Sequence, residues 1–193
     1  MRSTMKTTAA PGILMAVLLT AACGGSDDEM SESAPAATSE TQSETVRSAT
    51  QLPDTTGDAV WAMLTAANFQ EDWTLWPGMG ELYSGNEPHG MLLTTYLNDV
   101  ALQALESQAG SMPVGAVLVK ENYMPDSTLA ATTVMLKREL EYNPEHNGWW
   151  WLKRLADGTN EVEGRGAGCQ SCHGGQAADN DYVVTGSLSA AGG

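Results

Sequence analysis

The sequence is poor in basic residues. It has 9 lysines and arginines against 24 aspartates and glutamates, which gives a formal net charge of −15 at pH 7. A surface this acidic repels phosphate backbones, so we expect no nucleic-acid partner. High net charge also keeps a protein soluble, and we take solubility as the main meaning of this balance.

Cysteine is scarce as well, with only Cys23, Cys169 and Cys172 in the chain. The single C-x-x-C pair provides too few thiolates for a tetrahedral zinc site, which needs four ligands. A thioredoxin-like dithiol would stand in a βαβ unit, and no such context surrounds this pair. Both absences argue against the common alternatives for a C-x-x-C motif.

The apolar run at the N-terminus, residues 13–19, is too short to span a bilayer. Basic residues precede it and small residues follow it up to Cys23, a pattern that predicts a signal peptide over residues 1–22. Cleavage before Cys23 resembles the processing of a bacterial lipoprotein. We therefore expect lipidation of Cys23 and a membrane-anchored, periplasmic protein of a Gram-negative bacterium. Thr20 stands where lipoprotein signals usually carry leucine, which leaves an ordinary signal peptide as the alternative.

Three segments follow the signal peptide. Residues 23–52 are acidic and rich in Ser, Thr and Ala, so they cannot bury enough apolar surface to fold, and we predict a disordered linker. Residues 53–185 have the length of one domain with a core of its own. Residues 186–193 are predicted to form a loose tail.

The run Cys169-Gln170-Ser171-Cys172-His173 is the attachment signature of a c-type haem. Two thiols at this spacing reach the two vinyl groups of one porphyrin, and the adjacent imidazole becomes an axial ligand of the iron. We therefore predict one covalent haem c on Cys169 and Cys172, with His173 as the iron ligand. Such haem is attached outside the cytoplasmic membrane, in agreement with the predicted signal peptide. With Cys23 lipidated, no cysteine is left for a disulfide.

Apolar spacing predicts one helix that contains residues 60–67, capped by Asp54, Thr55 or Asp58, and a second that begins after Asn98 and ends before Gly110. Runs rich in β-branched and aromatic residues predict strands at residues 89–97, 116–123, 129–136, 149–152 and 181–184. The predicted fold class is α+β, a mainly antiparallel β-sheet with two or so helices and the haem on its face. No methionine follows Met135, which excludes a methionine ligand downstream of the haem motif.

A set of short segments occurs in a fixed order along residues from about 61 to 184. In chain order they are His89-Gly90, Tyr96-Leu97-Asn98, residues 112–121, residues 134–137, Asn147-Gly148-Trp149, the C-x-x-C-H motif and Asp181-Tyr182-Val183. Through these segments the chain resembles the cytochrome P-460 family, which includes the cytochromes c′-β. The resemblance implies a mainly antiparallel β fold, usually a homodimer, and a five-coordinate c-type haem whose distal side is open to small nitrogen ligands.

In cytochromes P-460 proper a lysine nitrogen is joined covalently to the porphyrin edge, and the resemblance gives that role to Lys120. The residues alone leave a second interpretation open, because a lysine near a strand end commonly extends its amine to water. Hydroxylamine-oxidising members also carry a distal carboxylate as proton acceptor, and the matching position here is Thr133. A hydroxyl is a poor base near neutral pH, so this departure argues against hydroxylamine oxidation and favours nitric oxide binding.

The leading hypothesis is a mono-haem protein that binds hydroxylamine or nitric oxide and exchanges electrons with an unidentified partner. If the protein is an enzyme, it oxidises these nitrogen species. The alternative is a six-coordinate electron carrier whose second axial ligand is His89 or a methionine. His89 has two further roles open to it, as a distal hydrogen-bond donor or as a structural histidine closing a turn onto the sheet. A third hypothesis is a haem-bearing subunit that docks a partner.

Overall fold

Residues 52–189 are described by the structure, a computed structural model of the chain. The predicted signal peptide, the lipidation site Cys23 and the predicted linker up to residue 51 lie outside the described residues. Within residues 52–189, no helix combines the length and the apolar character needed to cross a membrane.

An antiparallel sheet of seven strands forms the centre of the fold, in the order β1-β3-β4-β5-β6-β7, with β2 pairing β3 beside β1. The prediction of a mainly antiparallel α+β fold is therefore confirmed. The strands are β1 (Thr74–Leu75), β2 (Tyr83–Ser84), β3 (Leu92–Leu97), β4 (Val117–Tyr123), β5 (Leu129–Lys137), β6 (Trp149–Leu155) and β7 (Asn160–Gly164).

Among residues 52–189, four α-helices accompany the sheet: α1 (Gly57–Ala66), α2 (Phe69–Asp72), α3 (Asp99–Glu106) and α4 (Ala167–Ala177). Thr56 caps α1 by accepting a hydrogen bond from Ala59 N at 3.2 Å. Asn98 caps α3 by accepting one from Ala101 N at 3.0 Å. Each cap satisfies a backbone N–H that has no partner inside its helix. Both predicted helices are present, and Asn98 begins the second of them.

The two faces of the sheet are covered by different apolar clusters because side chains alternate along each strand. The three consecutive tryptophans of β6 show the alternation, since Trp149 and Trp151 belong to one cluster and Trp150 to the other. The cluster with Trp150 packs beneath α1, through Val60 and Leu64. The opposite face carries the cluster with Trp149 and Trp151, which also contacts the partly buried Cys169 of the predicted haem motif.

The C-terminal segment differs from its prediction in two ways. Residues 181–184 form no strand, because Asp181 and Tyr182 have φ values of 49° and 66°, in the left-handed region. Residues 186–189 are not loose either: Leu188 is fully buried, and its carbonyl accepts a hydrogen bond from Gly110 N at 2.7 Å. The ordered domain therefore extends at least to Ser189 instead of ending at residue 185.

Strand β7 and the helical state of the haem motif were not predicted. Strand β7 has the sequence Asn-Glu-Val-Glu-Gly, whose single large apolar residue gives almost no strand signal. The motif lies within α4 although this helix contains three glycines. Glycine disfavours helices by about 1 kcal/mol relative to alanine, so tertiary contacts must hold this one.

Candidate haem-binding site

A cavity of about 630 Å³ lies between the face of the sheet that carries Trp151 and helix α4. Its volume falls within the range of cofactor sites, and its lining is mostly apolar with a few polar groups. The lining includes six of the seven residues proposed from the sequence: His89, Lys120, Thr133, Cys169, Cys172 and His173. The seventh, Cys23, lies outside the described residues.

Helix α4 brings the three motif residues to the cavity. Positions i, i+3 and i+4 share one face of a helix, so Cys169, Cys172 and His173 are presented together. Both cysteines are free thiols of intermediate exposure. Burial raises the pKa of the Cys169 thiol above its ordinary value.

The orientation of His173 is fixed from behind by the backbone. Its Nδ1 lies 2.7 Å from the carbonyl oxygen of Tyr182. Because a carbonyl only accepts, Nδ1 carries the proton and Nε2 is the nitrogen left to bind a metal. Burial lowers the pKa of His173, which favours the neutral imidazole that a metal requires. The Trp151 ring packs against the imidazole with 4.7 Å between centroids.

A row of polar side chains crosses the cavity face of the sheet at one level. The strand register pairs Thr95 with Lys120, Lys120 with Thr133, and Thr133 with Lys153. All four side chains line the cavity, and we call them the polar row. Below it the register aligns Leu118, Met135 and Trp151, which give the cavity an apolar floor.

Lys120 lies inside the sheet, with three residues of β4 after it and strand partners on both sides. Its amine donates a hydrogen bond to Thr185 Oγ1 at 3.3 Å. Burial lowers the pKa of Lys120 to about 8. Lys120 is neither at a strand end nor freely solvated. Its position therefore fits the interpretation that brings its amine to the haem better than the one that extends the amine to water.

Thr133, Asn122 and His89 form a polar cluster in the lining of the cavity. Thr133 Oγ1 lies 3.4 Å from His89 Nδ1 and 3.3 Å from the amide nitrogen of Asn122. Burial is the main cause that lowers the pKa of His89 to about 4, and the charges of Lys120 and His173 add to it. His89 is therefore a neutral imidazole near pH 7.

The sheet separates Glu121 from this cavity, as the alternation along β4 predicts. Glu121 is buried on the opposite face and accepts hydrogen bonds from Gln70, Tyr96 and Tyr123 at 2.6, 3.2 and 2.6 Å. The one carboxylate among the cavity-lining residues is the exposed Glu87. Sequence reasoning missed Glu87 and Asn122. For Asn122, the period-two alternation that places Lys120 on this face was the available signal.

The residues present fit a haem. Two free thiols and an imidazole with a bare Nε2 face an apolar cavity from one helix, at the spacing that covalent attachment needs.

Comparison with known proteins agrees with this fit. The family model described as Cytochrome P460 matches residues 70–185, which is more than half of the 193-residue chain. No curated protein matches the sequence. The matched range holds every residue that lines the cavity, from Glu87 to Thr185. The chain belongs to the cytochrome P460 family, and this membership implies that it binds haem.

Proposed function

We propose that this chain is a mono-haem c-type cytochrome that binds hydroxylamine or nitric oxide at the haem face opposite His173. One observation carries the proposal. A single apolar cavity collects both motif thiols, the free Nε2 of His173 and the polar groups of Lys120, Thr133 and His89. A bound haem supplies the redox chemistry and a coordination position for a small nitrogen ligand.

The residues of the chain have separate tasks in this proposal. Cys169 and Cys172 hold the porphyrin covalently, and His173 binds the iron through Nε2. Lys120 lines the cavity, where its amine would lie against a bound porphyrin, and a pKa of about 8 leaves that amine partly neutral near neutral pH. The apolar floor of Leu118, Met135 and Trp151 excludes water from the site.

Nitric oxide binding is the better supported half of the proposal. Oxidising hydroxylamine requires a base to take up its protons, and Thr133 offers only a hydroxyl. Glu87 lines the cavity but is exposed, and His89 is a weak base with a pKa of about 4. Binding nitric oxide needs no proton acceptor, so the polar cluster is sufficient for it.

A second candidate function, an electron carrier with a six-coordinate haem, is favoured by the placement of His89. The His89 and His173 rings are perpendicular, at 87°, with centroids 6.0 Å apart. A metal held between two imidazoles at about 2.0–2.1 Å from each nitrogen places the ring centres about 6.3 Å apart. Thr133 contacts Nδ1 of His89, which leaves Nε2 for a metal.

The visible spectrum of the ferric holoprotein separates the two functions. The protein is produced with a haem-maturation system and then titrated with nitric oxide and with hydroxylamine. A high-spin spectrum that changes on addition of nitric oxide is the result expected for the proposed function. A low-spin spectrum that no ligand changes overturns it.

Substituting His89 identifies the ligand if the spectrum is low-spin. His89→Ala then converts the spectrum to high-spin, whereas a high-spin wild type stays high-spin in this variant. His146→Ala is the matched control, since His146 is the one remaining histidine and does not line the cavity. A low-spin spectrum that survives His89→Ala rules out His89 as the second axial ligand.

The cellular setting is part of the proposal. We propose a periplasmic protein held at the membrane by a lipid on Cys23, working as a homodimer with a soluble or membrane-bound redox partner. The predicted export signal and the family resemblance support this setting. Mass spectrometry of the mature protein tests the lipid, because an ordinary signal peptide would leave Cys23 unmodified.

A further inference from the structure

The carbonyl that holds His173 belongs to an unusual piece of backbone. The side chain of Tyr182 takes no part in this contact. Its main-chain oxygen accepts the hydrogen bond from His173 Nδ1 at 2.7 Å. Asp181 and Tyr182 both have left-handed φ values, 49° and 66°. Neither residue is glycine, and a side chain's Cβ disfavours this conformation. Other contacts must therefore hold the segment in place.

The side chain of Asp181 provides those contacts. It is almost fully buried, with 4% exposure. Lys137 Nζ donates to both of its carboxylate oxygens, at 2.7 and 2.8 Å. Met112 N donates to Oδ2 at 2.7 Å, and Asn147 Nδ2 donates to Oδ1 at 3.1 Å. One carboxylate thus connects the last residue of β5 to the loops that precede β4 and β6.

The backbone of Asp181 is held as well. Trp149 Nε1 donates to its carbonyl oxygen at 2.8 Å. The next carbonyl along the chain, that of Tyr182, is the acceptor for His173. The residue whose carboxylate is buried, Asp181, is therefore the direct neighbour of Tyr182, whose carbonyl holds the axial ligand.

We propose that the buried Lys137–Asp181 ion pair positions the axial ligand. The pair holds the Tyr182 carbonyl against His173 Nδ1 and so sets how strongly that imidazole donates electrons to iron. The proposal rests on the haem assignment above. A carbonyl held at short range polarises the Nδ1–H bond and makes Nε2 a stronger donor. Stronger donation favours ferric iron and lowers the reduction potential.

The variants are Asp181→Asn, Lys137→Met and the double variant that combines them. Each single change leaves a buried ion without its partner, whereas the double change removes both charges. The double variant is therefore decisive. Loss of the lysine charge lowers the potential and loss of the aspartate charge raises it, so the two Coulombic effects oppose each other.

Two measurements on the holoprotein test the proposal: the iron–histidine stretching frequency of the ferrous form, by resonance Raman spectroscopy, and the reduction potential. In the double variant we expect the frequency to fall and the potential to rise, because the carbonyl is no longer held. Leu64→Ala is the control for destabilisation, since Leu64 is fully buried on the other face of the sheet. Asp58→Asn is the control for a broken surface pair, Arg154–Asp58.

The outcomes are distinct. If the double variant is destabilised as much as Leu64→Ala but keeps the wild-type frequency and potential, the pair stabilises the fold only and the proposal is overturned. A wild-type protein whose visible spectrum shows no covalently bound haem overturns the haem assignment, and this inference with it. An altered frequency in Leu64→Ala also overturns the proposal, because destabilisation alone would then explain the effect.

Discussion

At the scale of single residues, Lys120 has the most unusual environment of the predicted site. It is a lysine in the middle of a strand, in a mostly apolar cavity, and its amine has a neutral partner in Thr185. A buried amine avoids its charged form, which is the physical cause of its lowered pKa. A second lysine, Lys153, lines the same cavity two strands away.

The first prediction concerns a covalent link between Lys120 and the porphyrin. If the link forms, the Soret band of the holoprotein is strongly red-shifted, and Lys120→Ala abolishes the shift. Lys153→Ala is the matched control, because Lys153 is also a lysine of the polar row. It should leave the shift intact, because the resemblance gives Lys153 no role in the link. A red shift that persists in Lys120→Ala would show that the link is made elsewhere.

At the scale of elements, helix α4 is the part of the fold that depends most on its surroundings. Gly174 and Gly175 are adjacent in it but have different environments. A Cβ added at Gly174 would lie 3.1 Å from the Tyr182 ring, whereas one added at Gly175 meets nothing within 4 Å. The helix therefore approaches the segment that holds His173 closely at one glycine only.

The second prediction uses these two glycines as a matched pair. Gly175→Ala should raise the free energy of unfolding by up to about 1 kcal/mol, because alanine is the better helix former. Gly174→Ala should give no such stabilisation, because Tyr182 must move to make room for the added Cβ. It should also shift the visible spectrum of the haem. Denaturant titrations and spectra of both variants provide the measurement. Equal stabilisation by the two changes would contradict the close packing of Tyr182 on α4.

At the scale of the whole molecule, the C-terminal segment closes the domain. Leu188 is fully buried in the cluster that contains Trp149 and Trp151. Its backbone is held at both ends, since Leu188 N donates to Asn180 Oδ1 at 2.8 Å and its carbonyl accepts from Gly110. The segment that was predicted to be loose is thus part of the core beside the site.

The third prediction measures the contribution of this closure. Leu188→Ala should reduce the free energy of unfolding by about 2–5 kcal/mol, because it removes a buried side chain and leaves a cavity. Leu140→Ala is the control, since Leu140 is 57% exposed and its loss should cost little. Both values come from the midpoints of denaturant unfolding. A cost at Leu188 no larger than at Leu140 would mean that the C-terminal segment is not packed as described.

The sequence by itself determined the class of the fold and the chemistry of the motif. Strands β3 to β6 and the helix after Asn98 are encoded locally, by runs of β-branched and aromatic residues and by a capping side chain. The C-x-x-C-H spacing carries its meaning without a fold, because two thiols separated by two residues can reach the two vinyl groups of one porphyrin.

Only the tertiary structure decided which distant residues meet these motif residues. The register of β3 to β6 aligns the polar row, and a shift of one residue would have turned Lys120 and Thr133 to the opposite face. The conformation of residues 181–182 was not predictable from Asp-Tyr-Val-Val, whose residues favour a strand locally. A buried ion pair with Lys137, 44 positions earlier in the chain, holds Asp181 in the left-handed region instead. Contacts at that separation leave no local pattern, so the backbone that holds His173 is determined by packing.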